Sequence, residues 1–434
     1  MRQFSYSFLV LSFIFLAGCG QQEFSSSPLS AARQIFEPKK QVEYQYAAPW
    51  DTQLYDRAVD NARAVPDTLP KIKGGIVPHH LLAGTIDAEF FKTIAKQKPS
   101  VVVIIGPNHF SRGTAPIITT NRDWQTPYGV VETHHGLVQN LQDWGLVEVD
   151  EAVMKEEHSV YGLIPFISKL LPHTRVLSLT VKNTTSTSTL NALVEELDHE
   201  LPQDAVIVAS IDFSHYQTTS VSKFHDELSM SVIRNFDYDR LSKLEIDSIP
   251  SLYTLLKLME AYGTEQIAHE IHSDAGTLTG NPMGLNVTSY YSPYFTEGKR
   301  ESKKVASILF FGDIMIDRNV KKLIDVNGTD YLLEKLAGEE GRFFSGMDIV
   351  HANLEGPFAD ERRPTTKSIA FRFDPILIPM LQKYNFSLFT AANNHSLDMG
   401  RAGFAESQEN LKKAGIHFYG SEYEVNDDSY LLEQ

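Results

Sequence analysis

The sequence contains one cysteine, Cys19, among 434 residues. A single cysteine excludes intrachain disulfides and any zinc site that needs several thiolates. Positive charge is also scarce, because 39 Lys and Arg residues face 55 Asp and Glu residues and give a formal net charge of −16. Since binding to a phosphate backbone needs a basic surface, we expect no nucleic-acid partner.

Two kinds of sequence pattern are missing as well. The chain has no apolar run long enough for a lasting transmembrane helix. It also has neither the P-loop pattern nor the glycine pattern of dinucleotide-binding loops. The composition that remains, with 42% hydrophobic and 22% charged residues, is typical of a globular protein with two or three domains.

The N-terminal segment over residues 1–18 predicts a secretory signal. Arg2 precedes an apolar stretch over residues 8–15, and Leu16-Ala17-Gly18 leads directly to Cys19. The tetrapeptide resembles a bacterial lipobox, which implies removal of the signal and acylation of Cys19. The alternative is an ordinary signal peptide with a coincidental cysteine. We expect a protein that a lipid anchors to a membrane of the cell envelope, outside the cytoplasm.

The rest of the chain divides into a tether and two globular blocks. The tether covers residues 19–69, the first block residues 70–300 and the second block residues 303–434. A charged polar segment over residues 294–304 connects the two blocks. The helical spacing of apolar residues predicts four packing helices, over residues 87–97, 189–201, 252–259 and 402–414.

Six short apolar runs end on polar residues that can carry chemistry. Runs of this length, separated by helix-length segments, predict buried parallel strands. Ligands of open α/β sheets bind beyond the carboxyl ends of the strands, so the shared placement favours a functional site. Any one of these residues alone more often has a structural role, as a residue that caps a turn or as a histidine whose hydrogen bonds are all made within the fold. The six sets are Pro78-His79-His80, Asn108-His109, Asp212-Phe213-Ser214-His215, Gly312-Asp313, Asn353-Leu354-Glu355 and Asn393-Asn394-His395.

His79 and His109 are candidates for binding one divalent metal from neighbouring strand ends. Two histidines and one carboxylate suit non-haem Fe(II), whereas three ligands and a water suit zinc. Asp212 and His215 are a candidate acid-base pair, and Glu157 is a candidate for fixing the tautomer of a histidine. The candidates for the third metal ligand are Glu157, Asp212, Asp247 and Asp274.

Five ordered motifs of the first block form a specific set, namely Pro78-His79, Gly106-Pro107-Asn108-His109, Trp124-Gln125-Thr126-Pro127-Tyr128-Gly129, Glu157-His158-Ser159 and Asp212-Phe213-Ser214-His215-Tyr216. The set resembles the Memo family, in bacteria called protein B of the AmmeMemoRadiSam system. The family is similar to class III extradiol dioxygenases, which implies a three-layer α/β fold with a mainly parallel sheet. The resemblance implies a metal, Fe, Zn or Cu, on His79 and His109, and it implies that Asp212 and His215, the candidate catalytic pair, line the same pocket. It also implies a pocket that includes His80, Asn108, Glu157, His158 and Tyr216.

The third ligand position departs from the family pattern. Many Memo proteins carry a cysteine there, whereas this chain reads Leu244-Glu245-Ile246-Asp247-Ser248. Two interpretations stay open: Asp247 restores a triad of two histidines and one carboxylate, or it caps the helix that starts near Pro250. The reaction stays open too, because a fold does not determine an activity. The first block is either a metal-dependent enzyme or a non-catalytic module that binds a small molecule or a peptide.

The second block carries Asp313, Glu355, Asn394 and His395 at predicted strand ends. The set resembles a capsule-synthesis (CapA-like) family associated with poly-γ-glutamate, which is similar to calcineurin-like metallophosphoesterases. The resemblance implies that the first three residues contact a second metal or a substrate and that His395 serves as a catalytic proton donor. The family domain is longer than this block, so we expect an incomplete calcineurin-like α/β domain. A truncated product, a degenerate domain and completion by a partner stay open, as does activity on an envelope polymer.

Overall fold

The computed structural model describes residues 43–46, 51–63, 66, 68–281, 283–301, 303, 305–337 and 339–420, with only the backbone described over 339–341. The predicted signal over residues 1–18, the predicted lipid site Cys19 and most of the predicted tether lie outside the described residues. Within the described part of the chain, no helix is both long enough and apolar enough to cross a bilayer.

The first block contains eleven strands and ten α-helices among its described residues. The strands are Tyr44–Tyr46 (β1), Ile72–Val77 (β2), Val101–Pro107 (β3), Ile117–Thr119 (β4), Asp123–Thr126 (β5), Gly129–Val131 (β6), Glu148–Val149 (β7), Arg175–Val181 (β8), Val206–Ser210 (β9), Gln266–Asp274 (β10) and Ser289–Thr296 (β11). The helices are Thr52–Asn61 (α1), Gly84–Ala95 (α2), His135–Asp143 (α3), Glu151–Glu156 (α4), His158–Tyr161 (α5), Ile164–Leu170 (α6), Thr187–Glu200 (α7), Thr219–Asn235 (α8), Ile249–Ala261 (α9) and Ala275–Leu278 (α10).

Eight of these strands form one sheet in the order β10-β11-β2-β9-β3-β8-β4-β7. The central strands β2, β9, β3 and β8 are parallel, and the antiparallel pairs lie toward the two edges. The parallel centre confirms the strand prediction for the first three apolar runs. It also brings the residues that follow β2, β9 and β3 to the same edge of the sheet.

Helices cover both faces of this sheet, which is why β3 is apolar along its whole length. Val102 and Ile104 point into a core shared with helices α1, α2 and α6. Val103 and Ile105 point to the opposite face, into a core shared with helices α7, α8 and α9. The alternation produces three layers, and it confirms the predicted three-layer α/β architecture.

The folded part of the first block begins earlier than residue 70, where the sequence placed its boundary. Strand β1 pairs in parallel with β5 in a small sheet of β1, β5 and β6. Helix α1 buries Tyr55, and the Tyr55 hydroxyl donates a hydrogen bond to the Gly162 carbonyl at 3.0 Å. Strand β1 has only three residues, and α1 lies in the segment that the sequence analysis assigned to the tether. At the other end, β11 buries Tyr294 and Phe295, so the connecting segment begins after Thr296.

The second block is a separate four-stranded parallel sheet in the order β12-β13-β14-β15. Its strands are Ile308–Ile314 (β12), Ile349–Leu354 (β13), Phe386–Thr390 (β14) and His417–Tyr419 (β15). Its helices are Arg318–Asn327 (α11), Tyr331–Ala337 (α12), Ile378–Lys383 (α13) and Gly400–Lys413 (α14). The parallel order confirms the strand prediction for the last three apolar runs. Helices α2, α7, α9 and α14 correspond to the four helices that the sequence predicted.

We expect Gly75→Ala to destabilise the first block by about 1–3 kcal/mol, because overpacked cores must shift backbone or side chains. A Cβ at Gly75 would overlap the Phe90 ring and lie 2.8 Å from the Pro293 carbonyl oxygen. Thermal denaturation measures the change. Gly312→Ala, also in a strand, is the matched control, because nothing lies within 4 Å of a Cβ there. Equal melting temperatures for the two variants would contradict the close approach at β2.

Candidate functional site

A cavity of about 1080 Å³ opens beyond the carboxyl ends of β2, β9 and β3. Its volume is slightly above the usual range of about 300–1,000 Å³ for sites that take small organic molecules. The predicted residues that line it are His79, His80, His109, His158, Asp212, His215, Tyr216 and Asp247. The parallel pairing of three strands therefore assembles most of the site that the sequence predicted.

His79 follows β2 and is 4% exposed. Its Nδ1 lies 3.1 Å from the Ser210 hydroxyl, and its Nε2 lies 3.2 Å from Asp247 Oδ2 and 3.5 Å from Asp212 Oδ2. Burial alone would lower the pKa of His79, but the Asp212 and Asp247 carboxylates outweigh it and raise the pKa to about 9. The same negative potential favours a metal cation at Nε2.

His109 follows β3, and the carboxylate of Glu157 holds it in place. The His109 backbone N–H donates to Glu157 Oε2 at 2.8 Å, and the ring Nδ1 lies 2.7 Å from Oε1. Burial would raise the pKa of Glu157, but the hydrogen bond from His109 lowers it below its usual value, so the carboxylate is ionised. An ionised carboxylate at Nδ1 keeps the proton on that nitrogen, which leaves the Nε2 lone pair for a ligand.

Asp212 and Asp247 are joined through the backbone as well as through His79. The Asp212 N–H donates to Asp247 Oδ2 at 3.1 Å, and the Asp247 N–H donates to the Asp212 carbonyl at 3.2 Å. Asp212 Oδ1 accepts from the His79 N–H at 3.1 Å. The cap of helix α9 is Ser248, whose hydroxyl accepts from the Ser251 N–H. Asp247 therefore faces the histidines, and it does not cap helix α9.

Two groups of candidate metal ligands share His79. One consists of His79, His109 and His158, and the other of His79, Asp212 and Asp247, with the ligand atoms of each group within 4.8 Å of one another. The rings of His109 and His158 stack with centroids 4.2 Å apart. Burial and the charges on His79 and His109 lower the pKa of His158 to about 4, so its imidazole is neutral. Neutral imidazole is the form that binds metal.

His215 lies at the same cavity, beside the ligand groups. Burial lowers the pKa of His215 below its usual value, Asp247 and Asp212 oppose the shift, and the charges of His79 and Arg342 add to it. A neutral imidazole at the cavity wall can accept a proton from a bound molecule. Asp212 has less capacity for this role, because both of its oxygens face His79.

The other predicted pocket residues take varied positions. His80 contacts the Tyr290 hydroxyl through Nδ1 at 2.6 Å, and Tyr216 is 66% exposed at the cavity wall. Asn108 departs from the prediction, because its side chain pairs with the Arg112 backbone instead of lining the cavity. Asp274, the fourth candidate ligand, caps α10 and accepts from Thr277, away from the site.

Several site residues carried no sequence signal. Ser210 contacts His79 from within β9, and Phe110 lines the cavity directly after His109. Asp87 lies buried in α2, where burial and the Asp212 charge hold its pKa well above the usual value. Arg342 lines the cavity from the second block. Adjacency to a known motif would have found Phe110, but the others depend on contacts across the fold.

In the second block, Asp313, Glu355 and His395 converge at the carboxyl edge of the sheet. Asn353 Nδ2 donates to Asp313 Oδ1 at 2.8 Å and to Glu355 Oε2 at 2.6 Å. His395 Nδ1 lies 2.6 Å from Asp398 Oδ2, and its Nε2 lies 3.9 Å from Glu355 Oε1. In the described part of this block, no three His, Asp or Glu ligand atoms come as close together as in the first.

Asn394 is the predicted ligand of this block that stands apart from the cluster. It is exposed, and its carbonyl accepts from Lys367. The neighbouring Asn393 instead donates to Asn353 Oδ1 at 3.1 Å. The conformation of the loop after β14 decides which of the two neighbouring amides reaches the cluster. A strand pattern in the sequence does not show that conformation.

Comparisons with known proteins agree with this architecture. Residues 49–280, more than half of the chain, match the family model "Memo-like protein", and residues 307–432 match "Bacterial capsule synthesis protein PGA_cap". A MEMO1 family protein of Pyrobaculum arsenaticum is 29% identical over 231 residues, 50% of this chain and 82% of the relative. A MEMO1 family protein of Pyrobaculum aerophilum is 28% identical over 219 residues, 48% of this chain and 78% of the relative.

A third relative, a MEMO1 family protein of Metallosphaera sedula, is 30% identical over 178 residues, 39% of this chain and 62% of the relative. Both resemblances drawn from the sequence motifs are thereby confirmed. The chain belongs to the Memo-like protein family through its first block, and its second block is a capsule-synthesis PGA_cap domain.

Proposed function

We propose that the first block is a metal-dependent enzyme with a centre of the non-haem dioxygenase-like type, anchored by lipid in the cell envelope. The proposed ligands are His79, His109 and Asp247. One observation carries the proposal: His79 Nε2 and His109 Nε2 lie 3.2 Å and 3.8 Å from the same oxygen, Asp247 Oδ2, at the end of a cavity.

The Asp247 carboxylate supports the fit of a cation. Asp247 Oδ1 is buried, and among the described residues no donor makes a hydrogen bond to it. A buried carboxylate oxygen without a partner costs free energy, which a bound cation would recover. Two imidazoles and one carboxylate are a ligand set that suits iron, zinc or copper better than magnesium or calcium.

The chain's own residues have defined roles in this proposal. Glu157 orients His109, and Ser210 contacts the ring nitrogen of His79 that faces away from the carboxylates. His215 accepts a proton from the bound molecule, and Asp212 positions His79. A bound metal would polarise a substrate oxygen or activate water or dioxygen. The cavity leaves room for an organic substrate beside it.

We expect His79→Ala and His109→Ala to lower bound metal from about one equivalent per chain to near zero, because each removes one of three protein ligands. Elemental analysis of the chain purified from residue 20 onward measures this. His199→Ala, an exposed histidine of α7 outside the cavity, should keep the metal. A protein that stays metal-free when offered iron, zinc and copper would favour the alternative, a non-catalytic module that binds a small molecule or peptide.

We expect Glu157→Gln to weaken metal affinity about 10- to 100-fold, which is the usual cost of removing a carboxylate behind a ligand histidine. The amide cannot hold the proton on His109 Nδ1 as firmly as the ionised carboxylate. Competition with a chelating dye measures the affinity. Glu148→Gln serves as the control, because Glu148 accepts from Thr114 and Ala115 away from the cavity. Equal affinities in both variants would argue against His109 as a ligand.

The envelope location rests on the N-terminal sequence alone, where Cys19 follows Leu16-Ala17-Gly18. We expect Cys19→Ala to move the protein from the membrane fraction to the soluble fraction of a bacterial host, since the acyl chains attach at that thiol. Labelling with a radioactive fatty acid should mark the unchanged chain and not the variant. Membrane association that survives the substitution would refute lipid anchoring at this residue.

A hydrolase that acts on an envelope polymer through the second block ranks behind this proposal. The pair of His395 and Asp398 resembles an oriented proton donor, and Glu355 lies beside it. The described residues of the block nevertheless lack a compact ligand group of the kind found in the first block. Metal-dependent phosphodiester hydrolysis that His395→Ala abolishes would reverse the ranking.

A further inference from the structure

The second block contacts the segment of the first block that leads to Asp247. The 3-10 turn Tyr238–Lys243 lies between α8 and α9, and Asp247 follows four residues after its end. We infer that the second block is the structural support of the metal site, with Arg240 as a positioning residue that acts on Asp247 through its contact with Asp348. The inference rests on the proposed function in one respect, because Asp247 matters here as a metal ligand.

Arg240 reaches from the first block into the second, and its side chain is only 12% exposed. Its Nη2 donates to Asp348 Oδ2 at 2.7 Å and to the Ser307 hydroxyl at 3.1 Å. Its Nη1 donates to the Val305 carbonyl at 2.9 Å. The same oxygen of Asp348 also accepts from the Ser307 N–H at 2.7 Å. A charge-assisted network that is largely out of water fixes a side chain more firmly than an exposed ion pair does.

Close packing continues this contact at the end of the turn. Gly346 of the second block has a φ of +78°, and a Cβ there would lie 2.5 Å from the Lys243 carbonyl oxygen and 2.8 Å from Leu228 Cδ2. Only glycine permits this approach. The next residue, Leu244, is buried in the same apolar core as Phe344 of the second block. The second block therefore holds the chain to within three residues of Asp247.

The first block holds the other end of this segment. The Asp247 N–H donates to the Asp212 carbonyl at 3.2 Å, and the Asn183 side-chain amide donates to the Asp247 carbonyl at 3.0 Å. Three residues are too few to absorb a displacement of the turn, because each residue spans at most about 3.6 Å. Since a binding side chain must be held to within about 0.5 Å, the Asp247 carboxylate needs both anchors.

The inference gives the second block a role that needs no metal of its own. Among its described residues, no group of His, Asp and Glu ligand atoms is as compact as those of the first block. Thermodynamic linkage makes the effect reciprocal: if docking of the second block favours the metal, the metal must favour docking to the same extent. We therefore expect a metal bound in the first block to slow amide hydrogen exchange over residues 342–348 of the second.

Asp348→Asn, in the chain purified from residue 20 onward, tests the inference. The variant keeps the shape of the side chain and removes the charge that holds Arg240. We expect zinc affinity to fall about 10-fold, as for other groups that hold a metal ligand in place, and competition with a chelating dye measures it. Amide hydrogen exchange should become faster over residues 238–247 and stay unchanged in β3 and β9, which separates a local displacement from general loss of stability.

Asp204→Asn is the matched control. Asp204 accepts from the Ser100 N–H at 2.9 Å and from the Ser100 hydroxyl at 2.7 Å, the pattern that Asp348 has with Ser307. It lies before β9, at the edge of the sheet opposite to the cavity, so its loss should leave zinc affinity unchanged. Exchange over residues 342–348 with and without zinc is measured on the unchanged chain, which keeps the test decisive if Asp348→Asn folds poorly.

Equal zinc affinities of the Asp348 and Asp204 variants would overturn the inference, as would exchange over residues 342–348 that zinc leaves unchanged. Zinc binding by the unchanged chain is read first. A chain that binds no zinc refutes the proposed metal site, and the inference falls with it. A chain that binds zinc but fails either comparison refutes the inference alone.

Discussion

The parallel pairing of β2, β9 and β3 is the constraint on which the candidate site depends. Val77 aligns with Ser210, and Ile105 aligns with Ala209, so the three strands reach their carboxyl ends together. Because sheet neighbours lie about 5 Å apart, the residues that follow these strands must meet. A histidine from each outer strand and an aspartate from the middle one thereby converge, although 133 residues separate His79 from Asp212.

The convergence brings negative charges together in a buried place, which costs free energy and makes the site favourable for a cation. Two carboxylates face one buried imidazole nitrogen, and one oxygen of Asp247 lacks a hydrogen-bond partner among the described residues. Such an arrangement is expensive in an empty core and favourable around a cation. Glu157 and the backbone pairing of Asp212 with Asp247 hold the groups in place. Arg342 of the second block also lines the cavity.

Much of the fold was predictable because its signals are local. Apolar runs without alternation predicted the buried parallel strands, and helical spacing predicted α2, α7, α9 and α14. The strand ends, together with the motifs, predicted the histidines and carboxylates that line the cavity. Strand β1 and helix α1 escaped prediction because each is stabilised by partners about 80 to 110 residues away, namely β5 and Gly162.

The sequence by itself determined the family of both blocks, the layer architecture and the identity of His79, His109 and Asp212 as residues of one site. Tertiary structure showed that Asp247 faces the histidines and that Ser248 caps α9, because a cap and a residue facing the histidines need the same side chain and differ only in what lies opposite. It also separated Asn108 and Asn394 from their predicted sites and brought in Arg342. Such contacts join residues far apart in sequence, so no spacing or local pattern encodes them.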